Sequence, residues 1–257
     1  MDVIVFRVGI NHYALNIENI QRIVQAVELT SVPGSHRLID GMMNYEKNVV
    51  KVFNFRKLIE LPIYEEELQK DFIAIKNGHE AYVADLENSV FHDAAFLRST
   101  SPYTCSLGKW LATFNSHDDD ISKLLKHLVL HHRNFHNISA NILEIHKNNK
   151  EEAIALYKKE IKNAITTVLG DINTLIQERK TVANSLQKLV IYENNGSQFA
   201  IKVDAIEDIV NVNEKKIIYS SDNIGETELL GILDIKGVLV NIIKSVKLPT
   251  KGDKYGN

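Results

Sequence analysis

Residues 12–24 read HYALNIENIQRIV, and residues 198–210 read QFAIKVDAIEDIV. The two strings line up without a gap. A second pair follows in the same order: GMMNYEKNVVKVFNFRKLI, starting at Gly41, lines up more loosely with GILDIKGVLVNIIKSVKL, starting at Gly231. The offset is 186 residues for the first pair and 190 for the second. Two pairs in one order, at nearly one offset, read as a single β unit that occurs twice with other material between the copies.

The surroundings of these strings carry the same signal. From Val3 to about Leu61 the runs VIVFRVGI, HYALNI and NVVKVFNF are short and rich in β-branched or aromatic residues, broken by Gly9, Pro33 and Gly41. The segment IENIQRIV fits a short helix or a strand. From Leu189 the β pattern resumes in LVIYENNGSQFAIKV, with Asn194, Asn195 and Gly196 supplying a turn. Between Glu65 and about Gln187 proline is absent apart from Pro102, and apolar residues recur at three and four, the spacing of one helix face. The expected class is α+β. Residues 1–64 and 186–250 form one β domain of two related halves, residues 65–185 form an inserted helical bundle, and 251–257 a flexible tail. Insertions are tolerated where chain ends lie close together and exposed, whereas two separate β domains of about 65 residues would each have a marginal core.

Composition limits what such a chain does. With 44% hydrophobic and 25% charged residues it has an ordinary globular profile, and a net charge of −3 offers no broad basic surface for nucleic acid or anionic lipid. The N-terminus lacks a basic n-region, and no run approaches the roughly 20 apolar residues of a membrane span. A cytoplasmic location is expected, with Cys105, the only cysteine, present as a thiol or a metal ligand.

The string from Phe6 to Pro62, with its F-R-V-G opening, the S-V-P-G of residues 31–34, the G-M-M-N and the V-V-K-V-F-N-F-R-K-L-I, resembles the first half of CheW-like domains. Residues 189–248, with V-D-A-I-E-D-I-V at 203–210 and L-L-G-I-L-D-I at 229–235, resemble the second half. The resemblance implies a pair of small interlocked β-barrels and a scaffold that couples chemoreceptors to the CheA histidine kinase. One departure stands out. Where that family commonly carries an Asn-x-Arg-Gly turn, this chain reads Asn44-Tyr45-Glu46-Lys47, inverting a charge implicated in partner contacts.

Eight of the ten histidines fall within residues 65–185: His79, His92, His117, His127, His131, His132, His136 and His146. In the helix expected from about Asp120 to Lys147, the inward stripe runs Ile121, Leu125, Leu128, His132, Phe135, position 139 and Ile142. His132 stands where an apolar residue is expected, and His136, four residues on, points the same way. His127 and His131 form a second four-residue pair on a more solvated face. Cys105-Ser-Leu-Gly108-Lys-Trp110, with His132 and His136 after it, resembles the chemoreceptor zinc-binding (CZB) domain. That family has a Cys-x-x-Gly-x-Trp signature, a His-x-x-x-His pair and an upstream histidine, and binds zinc through three histidines and one cysteine.

The resemblance implies Zn2+ held by His79, Cys105, His132 and His136. His79 opens a helical stretch 26 residues before Cys105; His92, only 13 residues before it, is the rival. Residues 150–187 read as one long closing helix. Four protein ligands leave no open position for substrate, and no nucleophile elbow or phosphate loop is present, so the expectation is an adaptor and not an enzyme. A zinc thiolate also suits regulation by zinc or by an oxidant, the resemblance implying hypochlorous acid. The alternative is a structural zinc in a dimerisation module, since related bundles pair into homodimers.

Overall fold

A computed structural model of the chain describes residues 1–114, 116, 118–194 and 197–248. Asn195 and Gly196 of the expected hairpin turn, His117, and the expected tail at 251–257 lie outside these residues. The chain divides into two compact units, one formed by residues 1–66 together with the chain from Ala183 onward, the other by Glu67–Val182.

The first unit is built from strands whose apolar residues alternate. β1 (Asp2–Val8), β2 (Asn11–Asn16), β3 (Ile20–Gln25), β4 (Ile39–Tyr45) and β5 (Asn48–Asn54) come from the first copy. β6 (Lys188–Asn194), β7 (Ser197–Val203), β8 (Ala205–Asn211), the short β9 (Ile218–Tyr219) and β10 (Asn223–Ile224), then β11 (Thr227–Ile235) and β12 (Val238–Val246) come from the second. The segment left open in the sequence resolves as strand β3, an edge strand whose side chains are only partly covered. That half-buried edge explains why its period was ambiguous.

The copies exchange strands. One sheet runs β10-β11-β12-β2-β1-β8 with β9 on β11, and the other runs β3-β6-β7-β5-β4. Under the repeat offsets β6, β7, β8, β11 and β12 are the counterparts of β1 to β5. Each sheet therefore takes its first two strands from one copy and its third, fourth and fifth from the other. The copies meet at four pairings, two antiparallel (β1 with β8, β3 with β6) and two that are the only parallel pairs among the described strands, β12 with β2 (Val240 opposite His12) and β5 with β7 (Lys51 opposite Phe199). These registers superpose under the offsets. Gly41 and Gly231, which align, hold matching backbone angles (φ 157° and 158°), and a Cβ at either would lie 2.8 Å from Leu29 Cβ or 2.3 Å from the Ile218 carbonyl oxygen. Glu46 and Lys236, the turn residues that follow, share a left-handed φ of 52° and 55°.

A pair of barrels was expected; the two sheets are open. The reason lies at the outer edges. On β4 the edge is taken by the chain after β3, through Thr30 N–H to Met42 O and Met42 N–H to Thr30 O, both 2.9 Å. On β11 it is taken by β9 and β10. Those edge groups are spent on local chain and do not close onto β3 or β8.

Between the sheets lies a shared core that includes Ile4, Phe6, Tyr13, Phe53, Phe55 and Leu58 from the first copy and Val190, Tyr192, Ile201 and Leu229 from the second. A buried ion pair also joins the copies. Arg56 Nη2 lies 2.7 Å from Asp204 Oδ2, both side chains being almost inaccessible. Asp204 accepts further bonds from the Gly9 N–H and Gln187 Nε2, and Arg56 Nη1 donates to the Pro62 carbonyl. Every strong acceptor site of the carboxylate is thus engaged, as a buried charge requires.

The second unit is helical: α2 (Tyr64–His92) leads into it, α3 (Ser106–Thr113), α4 (Asp119–His146), α5 (Lys150–Leu156) and α6 (Lys162–Gln177) lie within it, and α7 (Arg179–Leu186) leads out of it, while a short α1 (Phe55–Leu58) belongs to the β unit. The expected α4 stripe is buried at every position, including His132 and Ser139. Its start is fixed by Asp118, whose carboxylate accepts from the Asp120 and Ile121 N–H groups. Two expectations change. His79 lies in the middle of one 29-residue helix and does not open it. The closing helix is interrupted by a π-helical turn at Tyr157–Ile161 and by a break at Glu178.

Candidate metal centre

Three elements converge on one point. On α2, residues Leu68, Phe72, Ile75, His79, Tyr82 and Leu86 are buried at three- and four-residue spacing, so His79 faces inward by the same periodicity that packs the helix. On α4, His132 and His136 occupy the inward stripe, at 1% and 0% exposure. Cys105 caps α3: its Sγ accepts from the Gly108 N–H at 3.3 Å. Gly108 is required there, because a Cβ would sit 1.9 Å from the Pro102 carbonyl oxygen. Trp110 holds the short helix down, meeting Phe72 edge-to-face at 5.0 Å and stacking on Phe114 at 4.6 Å.

His79, Cys105, His132 and His136 each offer a donor atom, and these atoms all lie within 4.8 Å of one another. A tetrahedral ion with ordinary Zn–N and Zn–S bonds needs donors roughly 3.3–3.7 Å apart. The 3.2 Å between Cys105 Sγ and His132 Nε2 is already near that value. The ring centroids are 4.6 Å apart for His132 and His136, and 5.2 and 6.0 Å apart for His79 with each of them. His92, the rival, is the exposed last residue of α2 and is not part of the cluster. His127 is exposed, and His131 Nδ1 is bound to the Asp171 carboxylate at 2.7 Å.

Hydrogen bonding leaves this cluster in the form a metal needs. His79 Nδ1 is bonded to the Ile75 carbonyl at 2.8 Å and His136 Nδ1 to the Thr100 carbonyl at 3.1 Å. A carbonyl only accepts, so each Nδ1 carries the proton and each Nε2 presents a lone pair. Those two Nε2 atoms are buried and have no hydrogen-bond partner. Two orphaned lone pairs aimed into one pocket are costly unless something fills it. Burial keeps the rings neutral: it lowers the pKa of His132 to about 3 and of His136 to about 4, with the other cluster histidines adding repulsion, and it lowers His79 as well. Burial raises the Cys105 thiol, against helix N–H groups that favour the thiolate. A borderline divalent ion fits this set, and its entry displaces the thiol proton.

The sequence did not give the two carbonyl partners, because Thr100 lies in the aperiodic segment between α2 and α3 and carbonyls leave no residue-type signal. Nor did it single out Arg98, which bonds Asp85 beside the cluster.

Residues 2–85 match the family profile of the CheW-like domain. The chain is similar to the chemotaxis protein CheW of Thermotoga maritima, 22% identical over 73 residues, which is 28% of this chain and 48% of that protein. It thus spans about half the length of the curated relative it matches. The crystal structure of the scaffolding protein TtCheW from Thermoanaerobacter tengcongensis aligns with a TM-score of 0.45 and 12% identity, covering 95% of this chain and 89% of that one. No described helix is long and apolar enough to cross a membrane.

Proposed function

We propose that the chain is a non-enzymatic cytoplasmic adaptor that couples methyl-accepting chemoreceptors to a CheA-type histidine kinase, and that its helical unit is a CZB-type bundle holding zinc through His79, Cys105, His132 and His136. The observation that carries this reading is the convergence of three neutral imidazoles and one thiol in the helical segment that separates the two parts of the β unit, the match of residues 2–85 to the CheW-like profile supporting the adaptor role. When bound, zinc would supply a rigid link among α2, α3 and α4. Ile75 and Thr100 orient two of the rings, and the Gly108 N–H steadies the sulfur as an anion.

Regulation enters through the sulfur. The three histidines are 0–3% exposed, while Cys105 is only partly buried. Hypochlorous acid would convert the thiolate to a sulfenic acid with release of chloride, weakening the fourth ligand and loosening the three helices. The burial of the histidines favours the second reading, a structural ion in a dimerising module. Affinity separates the two: a sensor releases zinc within the cell's buffered range, whereas a structural ion leaves only on unfolding.

The coupling role is tested in a reconstituted array of receptor, kinase and this chain. Kinase activity should depend on the chain and change when zinc is removed. Equal activity with and without zinc would refute the sensory role, and failure of receptor and kinase fragments to pull down the chain would refute the adaptor role.

A further inference from the structure

Beside the four-residue cluster lies a cavity of about 260 Å3, lined by Gly78, His79, Tyr82, Arg98, Ser99, Thr104, Cys105, Ser106 and His136. It is smaller than most sites for drug-sized ligands and large enough for several waters. Three of the four cluster residues form one wall.

The remaining polar groups are mostly donors. Tyr82 is 5% exposed, and its buried hydroxyl, with the Ser139 hydroxyl close by, makes no hydrogen bond of good geometry. Ser99 Oγ accepts from the Ser101 N–H and lies 2.8 Å from Thr104 Oγ1, whose single proton is shared between Ser99 Oγ and the Ser101 carbonyl; when Thr104 gives it to Ser99, the Ser99 hydroxyl is a donor. Asp85 engages Arg98 through Nε, and the two terminal nitrogens of that guanidinium carry no protein acceptor among the described residues. No acidic side chain lines the cavity. Donors without acceptors, one of them a buried orphan, describe the complement of an anion.

The geometry points to this cavity as a binding site for a small oxyanion, of carboxylate or phosphate size, held by Arg98, Tyr82 and Ser99 against the exposed face of the cluster. The metal reading adds a sign to it. Without an ion the cluster is neutral, three imidazoles and a thiol, whereas a divalent ion with one thiolate and three neutral imidazoles has a net charge of +1. Anion and metal are therefore linked, each binding better in the presence of the other, and the coupling is reciprocal. This part rests on the metal site proposed above; the donor set does not.

The test uses the full chain, metal-free and zinc-loaded, titrated with acetate and with inorganic phosphate at constant ionic strength while the amide signals of Gly78, Ser99, Thr104 and Ser106 are followed by NMR. Saturable shifts confined to these residues are expected, tighter in the zinc-loaded chain. Arg98→Ala should weaken them roughly tenfold and Tyr82→Phe a few-fold, with Lys162→Ala, an exposed charge on α6, as a control that leaves them unchanged. Shifts that do not saturate, or that are equal in all variants, mean an adventitious ion only and overturn the proposal. Equal affinity with and without zinc overturns the linkage. A chain that takes up no zinc refutes the metal reading, while the metal-free titration still decides the anion site.

Discussion

Acidification of the metal-free protein should destabilise its helical unit, and the size of the effect follows from the cluster. His132 and His136 have folded-state pKa values of about 3 and about 4, against roughly 6.5 in an unfolded chain. Their folded values are depressed, so the unfolded state binds more protons. Stability contributed by keeping these rings neutral is full above about pH 7, is lost progressively below 6.5, and stops falling near the folded values. Between pH 7.5 and 5.5 each ring costs about 1.3 kcal/mol, and the pair about 2.6 kcal/mol. His79 adds in the same direction. For a unit of this size that corresponds to a fall in melting temperature on the order of 10 °C. Trp110 is the only tryptophan and lies in the helical unit, so its fluorescence reports that unit alone. Thermal melts of chelator-treated protein across this pH range make the measurement. His132→Leu with His136→Leu should flatten the slope. A melting temperature that does not change with pH, or a slope untouched by the double variant, would refute the assignment of buried neutral rings.

Gly108→Ala forces a methyl group to 1.9 Å from the Pro102 carbonyl oxygen; the cap at Cys105 should be displaced, with the helical unit losing roughly 2–4 kcal/mol and zinc affinity falling with it, as read from urea unfolding by Trp110 and competition with a chromophoric chelator. Arg56→Met leaves the Asp204 carboxylate buried and unpaired, a loss of about 3–5 kcal/mol in the β unit; adding Asp204→Leu should recover most of it in chemical denaturation followed by far-ultraviolet dichroism. Glu46→Arg reverses the charge at this turn and, on the adaptor role proposed above, should strengthen binding to receptor or kinase fragments in a titration at low salt, the gain shrinking as salt rises.

The repeat was legible because strand alternation and turn residues are local, and its register survives down to matching backbone angles at Gly41 and Gly231. The exchange of strands between copies was not, since the parallel seams at Val240–His12 and Lys51–Phe199 join residues far apart in sequence, and no local pattern encodes which partner an edge accepts. The open edges were missed for a related reason: Thr30 takes the rim of β4 through backbone groups, which carry no side-chain signature. In the helical unit His132 and His136 were readable because histidine on an inward stripe breaks an apolar period, whereas Cys105 and His79 were named as ligands only through the resemblance to the CZB domain. The cavity beside them was not, because Arg98, Ser99 and Thr104 come from a segment with no period at all.

The central claim is that His79, Cys105, His132 and His136 form one zinc site, and metal content decides it most directly. Purified chain should carry one zinc per molecule, Cys105→Ser and His132→Ala should each lose most of it, and His92→Ala should keep it. Full occupancy in both ligand variants, or loss in His92→Ala equal to theirs, would contradict the account.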